Sequence, residues 1–428
     1  MSEYRKHTLT NGLRLITVEM PHLHSIETVC YVKVGSRDET TATAGISHFL
    51  EHMLFRGTAE HPSSLHLEEA FEEIGGAVNA STDSETSCYH SRLHPGRLKE
   101  GVALFASMLR RPLLQEIETE RRIIMEEALE DLNEEGEIIN PDSLAGQLLW
   151  PDHPLGLPTI GTRKTIGGFD PNDLRRHHAT FYRPANTVIA VAGRVDHAAA
   201  AAAVEDAFGT WEAGDPPPSP PPAPAVREEA AETAWVRDSD SQLSVQIAFR
   251  MPGRQSPHVV ALRVLRRLLS WGGTSRLMLQ LRERLGLTYH VEANLALHHE
   301  CGCFTVDLSL NPANLVAAMR ELLDVFAELR RRPPDGRELG RVVRAYLYDL
   351  DFSRDYTDDM AMRYGWGELA GYLRTLEEDR RAIAAITSED LHATARELFS
   401  PCRIKAVVVG PYRGKDRSRV KQLLAEYR

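Results

Sequence analysis

No stretch of this chain approaches the roughly 20 consecutive apolar residues that a membrane-spanning helix requires. The first residues, Met1-Ser2-Glu3-Tyr4-Arg5-Lys6-His7, hold no apolar core of a signal peptide. No membrane partner is expected, and the default address is cytoplasmic. Cysteine is scarce: Cys30, Cys88, Cys301, Cys303 and Cys402 are scattered through 428 residues with no Cys-x-x-Cys spacing. An odd, dispersed set argues against a disulfide framework and against a thiolate metal site. A basic surplus is also missing, since 50 Lys and Arg face 61 Asp and Glu for a net charge of −11. Phosphate binding needs the opposite balance, so nucleic acid is not an expected partner.

What the chain does have is the composition of an ordinary globular protein, 42% hydrophobic and 26% charged. Its length suggests two or more domains. Residues 8–20 read as a strand pair turned at Asn11-Gly12. A third strand follows over Glu27 to Gly35, a helix over about 65–73, strands at Ala77–Ser81 and Thr86–His90, and helices over about 95–110 and 115–134. After a loop near Trp150 come a helix at 171–181, a buried strand at Asn186–Ala192 and a helix at 196–209. The run Asp215-Pro216-Pro217-Pro218-Ser219-Pro220-Pro221-Pro222-Ala223-Pro224 is stiff and extended, and reads as an interdomain linker.

An internal repeat organises the whole. Asp173-Leu174, Phe181, Pro184 and Gly193 recur as Asp390-Leu391, Leu398, Pro401 and Gly410, each 217 residues on. The reading is α+β: two homologous α/β sandwich domains at 1–214 and 227–428, joined by the Pro-rich stretch 215–226.

The chemistry concentrates in Gly45-Ile46-Ser47-His48-Phe49-Leu50-Glu51-His52-Met53-Leu54-Phe55. On a helix His48 and His52 lie one turn apart on one face, with Glu51 at its edge. Neutral imidazoles suit zinc, and a neighbouring carboxylate can take a proton from water. The spacing therefore reads as two ligands and a general base. A chance His-x-x-Glu-His in this composition has odds of roughly one in twenty, so further support is needed. Catalytic zinc usually has a third protein ligand. Glu120 and Glu127, seven apart on the 115–134 helix, share a face; Glu126 is an adjacent competitor, and the plain reading of so acidic a helix is a solvated face. The 217-residue offset carries the motif onto Leu265, Leu268, Leu269 and Arg344. No His-x-x-Glu-His occurs in 230–428, so only the first half can hold this metal.

These features resemble the inverted-motif zinc metallopeptidases of the pitrilysin and insulinase type, especially their two-domain bacterial members and the mitochondrial processing peptidases. The resemblance runs through Gly12-Leu13, Gly45 to Gly57-Thr58, Glu118 to Glu127, Phe181-Tyr182-Arg183-Pro184-Ala185-Asn186, and Ser275-Arg276-Leu277 to Tyr289. It implies one zinc per chain, held by His48, His52 and Glu127, which lies 75 residues beyond His52. Glu51 becomes the catalytic base and Glu120 a residue that orients a ligand. Arg282 and Tyr289, seven apart, become donors to the substrate carbonyl. Ala77, Val78, Asn79, Ala80 and Ser81 become the edge strand on which a peptide pairs. The implied architecture is a clamshell around a cavity, in a homodimer or a heterodimer. The implied activity is hydrolysis of peptides or unfolded segments; the alternatives are a processing peptidase for a leader or presequence working with a partner subunit, and a non-catalytic scaffold. The sequence departs from the family in the acidic segment 133–140 and in its proline run.

Overall fold

A computed structural model describes residues 3–226 and 231–428. The first two residues and the expected start of the second domain, 227–230, lie outside the described residues. The chain forms two compact units, each built on one sheet.

The first unit holds a six-stranded mixed sheet in the order β1-β2-β6-β3-β5-β4. Its strands are β1 (Arg5–Thr8), β2 (Arg14–Glu19), β3 (Ile26–Val32), β4 (Asn79–Thr82), β5 (Ser87–Leu93) and β6 (Thr187–Gly193). Asn11-Gly12 makes the first turn, with Gly12 at φ 91°. All seven residues of β3 and of β6 are buried, as expected of central strands covered on both faces.

On one face the helices α1 (Ile46–Met53), α2 (Ser64–Glu73), α3 (Leu98–Arg110), α4 (Ile117–Glu127) and α7 (Pro171–Phe181) surround the strands. There Phe49, Phe71, Phe105, Phe181, Ile189 and Val191 share a core. The intervening residues Tyr31 and Ala190 point the other way and meet Gly365 of a π-helical segment, Met362–Trp366. A Cβ at Gly365 would lie 2.5 Å from that of Ala190, so only glycine fits.

The second unit has a five-stranded sheet ordered β7-β11-β8-β10-β9. Its strands are β7 (Glu232–Val236), β8 (Leu243–Pro252), β9 (Thr288–Leu297), β10 (Cys301–Leu310) and β11 (Ile404–Val409). The helix α5 (Pro141–Leu149) lies on it, and Leu144, Leu149 and Trp150 pack with Ala248, Val407 and Val409. Gln246 donates its amide to Asp142 Oδ1 and Asp307 Oδ1, both at 2.6 Å, and so ties that helix to the sheet. The helix α6 (Arg163–Gly168) belongs to the first unit. The five cysteines form no disulfide. Among the described residues no helix is long and apolar enough to cross a membrane.

The 217-residue repeat holds almost residue for residue. It carries α7 onto the helix Ser388–Leu398, and the turn Pro184–Asn186 onto Pro401–Arg403. Gly193 at φ 127° falls on Gly410 at φ 120°.

The units are not the contiguous halves 1–214 and 227–428. The first comprises the residues up to Ala128, Leu157–Pro221 and Asp351–Leu376; the second comprises Leu129–Gly156, Pro222–Leu350 and Glu377–Arg428. Each half thus sends a segment to the other's sheet, and shifting 129–156 by 217 lands on 346–373, nearly the other exchanged segment. The apolar face of α5 marks it as a core helix without saying which sheet it covers. The long helix expected over 115–134 accordingly ends at Glu127, and a 3-10 turn, Ala128–Asp131, leads into the second unit.

Candidate metal centre

Helix α1 begins at Gly45, whose φ of 89° and approach to Ile160 leave no room for a side chain; an added Cβ would lie 2.5 Å from the Ile160 carbonyl oxygen. A glycine offers no cap, and the buried Glu39 supplies one from outside the helix. Its carboxylate accepts from Gly45 N at 2.7 Å and Ser47 N at 2.8 Å. Ser47 Oγ is in turn 3.0 Å from His177 Nε2 on α7. Phe49, Leu50 and Met53 anchor the apolar side in the core. His48 and His52 are left on the opposite side.

Helix α4 brings Glu127 to them. Its Oε1 is 3.6 Å from His48 Nε2 and its Oε2 is 3.4 Å from His52 Nε2. In a tetrahedral zinc site with bonds of about 2.0–2.1 Å, neighbouring donors lie about 3.3–3.4 Å apart, so the two separations from Glu127 are close to such edges, and all three donors lie within 4.8 Å of one another. Among the described residues this is the one group of three such side chains able to hold a metal, and it contains Glu127 rather than Glu126. Burial, reinforced by His52, lowers the His48 imidazole to about 4, so it is neutral and ready to ligate at neutral pH.

Glu120, 4% exposed, accepts from His52 Nδ1 at 2.8 Å and from Arg56 Nε. Burial alone would push its carboxyl up, but the hydrogen bonds from His52 and Arg56 outweigh it and hold the group below the usual carboxylate range. That anion fixes the His52 ring with Nε2 toward Glu127. Glu51 is buried on the same helix as His48 and His52, and its Oε2 accepts from Thr82 Oγ1 at 2.5 Å. Burial raises its pKa, which suits a proton acceptor.

The edge strand is shifted from the expected Ala77–Ser81. Ala77 and Val78 precede β4, Val78 is buried in the core, and the strand runs on to Thr82. In the second unit, Arg282 lies within a π-helical segment, Met278–Arg284, and Tyr289 lies in β9. The guanidinium carbon is 5.4 Å from the ring centroid, and Tyr289 is 81% exposed.

The twin of α1, Val259–Ser270, shows why no metal group occurs among the described residues of the second unit. At the positions of His48, Glu51 and His52 it has Leu265, Leu268 and Leu269, all buried. The chain belongs to peptidase family M16. A model described as Insulinase (Peptidase family M16) matches residues 14–163, and one described as Peptidase M16 inactive domain matches 168–346. An uncharacterized zinc protease of Mycobacterium tuberculosis is 33% identical, with 98% of this chain and 96% of that one aligned. One of Bacillus subtilis is 27% identical over 92% and 96%. The fold matches a crystal structure of a protease from Helicobacter pylori at a TM-score of 0.87 and 22% identity, covering 95% of this chain and 99% of that one. For this M16 chain the description "inactive domain" falls largely on the part that has leucine at the positions of His48, Glu51 and His52.

Three residues at the site escape a reading of the motif: Glu39, Arg56 and Thr82. Arg56 had a signal, since it stands one helical turn beyond His52 and faces the same way. The other two are brought in by tertiary contacts and had none.

The support beneath α1 has a pH signature. Burial holds the His177 imidazole down to about 3. As pH falls from about 6.5 toward 3 the unfolded chain takes up this proton while the folded chain does not, and the site withdraws up to about 1.4 kcal/mol of stability per pH unit. Asp38 and Glu39, raised by burial to about 7, act in the opposite sense between about 4.5 and 7. A comparison with His177→Gln isolates the histidine. Urea midpoints at pH 7 and pH 5 should fall less for the variant than for the wild type, and equal falls would contradict the assignment.

Proposed function

We propose that this M16 chain is a zinc-dependent endopeptidase that hydrolyses peptides and unfolded segments. The observation that carries the reading is the group His48, His52 and Glu127, with donor separations of 3.4–3.6 Å and the buried Glu51 beside it. When bound there, zinc supplies a Lewis acid that polarises the scissile carbonyl and acidifies water. Glu51 takes the proton of the attacking water and later returns it to the departing amine. Arg56 and Glu120 keep the His52 ring in place. Arg282 and Tyr289 donate to the carbonyl oxygen as negative charge builds on it. The free edge of β4 pairs with the extended peptide, which selects unfolded chain over folded protein and tolerates varied sequence. Both residue sets lie in one chain, so the reading includes a self-sufficient enzyme.

The test is digestion of a peptide library read by mass spectrometry. Cleavage at internal bonds is expected, together with its disappearance when the chain is stripped by a chelator and its return on adding zinc. Cleavage that survives stripping to below one zinc per hundred chains would contradict the proposal.

A further inference from the structure

Strand β4 lies at the end of its sheet, bonded only to β5. Along it Asn79 and Ser81 are exposed while Ala80 and Thr82 are half-buried, the alternation of a strand with one face on the protein. Ala80 packs against the core. Thr82, the last residue, turns its hydroxyl to Glu51, with Oγ1 2.5 Å from Oε2. The neighbouring Ser87 Oγ is farther, at 3.4 Å, and donates its own proton to the Val34 carbonyl at 3.0 Å. A threonine hydroxyl has one proton, and an ionised carboxylate only accepts. The proton therefore goes to Glu51, in a bond between a neutral donor and a charged acceptor, the stronger kind.

This bond joins two elements that the sequence does not connect. Glu51 stands on α1, where the metal ligands are, and Thr82 ends the one strand of this sheet edge that borders them. With Oε2 occupied, the carboxylate loses its freedom to rotate, and Oε1 is the oxygen left for the reacting proton. The orientation of the base is thereby fixed relative to the β4 backbone.

We propose that Thr82 is a positioning residue, whose hydroxyl holds the Glu51 carboxylate in register with the edge strand on which the peptide pairs. The inference rests on the peptidase reading and deepens it: pairing along β4 places the scissile bond, and Thr82 places the base against the same ruler. Because the bond acts on the reacting step, its loss lowers kcat and leaves KM nearly unchanged.

The test compares the full-length wild type with Thr82→Val and Thr82→Ser, using one short and one long fluorogenic peptide and metal analysis of every sample. Valine keeps the β-branched shape that suits a strand and removes only the hydroxyl. Thr82→Val should retain one zinc per chain, keep its KM within about twofold, and lose 10- to 100-fold in kcat on both peptides. Thr82→Ser, which restores the donor, should recover most of that loss. A Thr82→Val kcat equal to that of an active wild type overturns the inference alone, as does a Thr82→Ser variant as slow as Thr82→Val. Zinc lost from Thr82→Val also overturns it, since the hydroxyl would then be supporting the ligands and not the base. A wild type that hydrolyses neither peptide with zinc bound overturns the peptidase reading and this inference with it.

Discussion

Glu51→Gln is expected to hold one zinc per chain and to hydrolyse peptides about 100- to 10,000-fold more slowly than the wild type. The substitution changes one atom and keeps the shape of a side chain that sits in a tightly packed place on α1. Thr82 Oγ1 can still donate to the amide oxygen, and His48, His52 and Glu127 are untouched. What disappears is the ability to accept a proton, because an amide does not do so near neutral pH. The proposed pairing of substrate along β4 does not involve this side chain, so the loss is expected in kcat. Metal analysis and steady-state kinetics on the same preparation decide the matter. Wild-type turnover in a zinc-loaded Glu51→Gln would remove the carboxylate from the reaction, and loss of the metal would recast Glu51 as a ligand.

Fragments separated within the Pro-rich run are expected to fail alone and succeed together. A fragment ending at Pro221 has no residues 351–376, so the face of its sheet at Tyr31 and Ala190 loses its cover. It also carries Leu144, Leu149 and Trp150 on a segment whose sheet lies in the other fragment. Fully burying a large apolar side chain contributes about 1.5–3 kcal/mol. Several such losses consume most of the 5–15 kcal/mol by which a typical domain is stable. Near-UV circular dichroism and thermal unfolding should show no cooperative transition for either fragment, and a transition when the two are refolded as a mixture. A sharp transition in either fragment alone would refute the exchange as a stabilising arrangement.

The parts of this fold that the sequence discloses are those governed by local rules. The spacing of His48 and His52 gives one helical face, the helix 171–181 is bounded by its own cap at Asp170, and Asn11-Gly12 gives its turn. The repeat was legible because matching caps, prolines and glycines recur at one offset. That Glu127 and not Glu126 groups with His48 and His52 depends on the relative placement of two helices, which the face of α4 suggests and the separations of 3.4–3.6 Å support. Thr82 reaches Glu51 across 31 residues through one hydrogen bond, and Glu39 reaches Gly45 and Ser47 across 6 and 8 residues through two; no periodicity encodes such contacts. The exchange of segments was hidden for a related reason: α5 displays an apolar face, and either sheet presents an apolar surface to receive it.

The closing of the first sheet by residues 351–376 also sets an order of events in time. On the ribosome, strands β1 to β6 are all made by Gly193, yet the surface around Tyr31 and Ala190 waits while 222–350 is translated. At roughly 5–20 residues per second that wait is on the order of ten seconds. For that interval the half carrying the metal motif is synthesised but unfinished, with apolar sheet open to solvent or to a chaperone. The unit with the metal motif is the first to begin leaving the ribosome and is completed only when about seven-eighths of the whole chain has been made, at Leu376 of 428 residues.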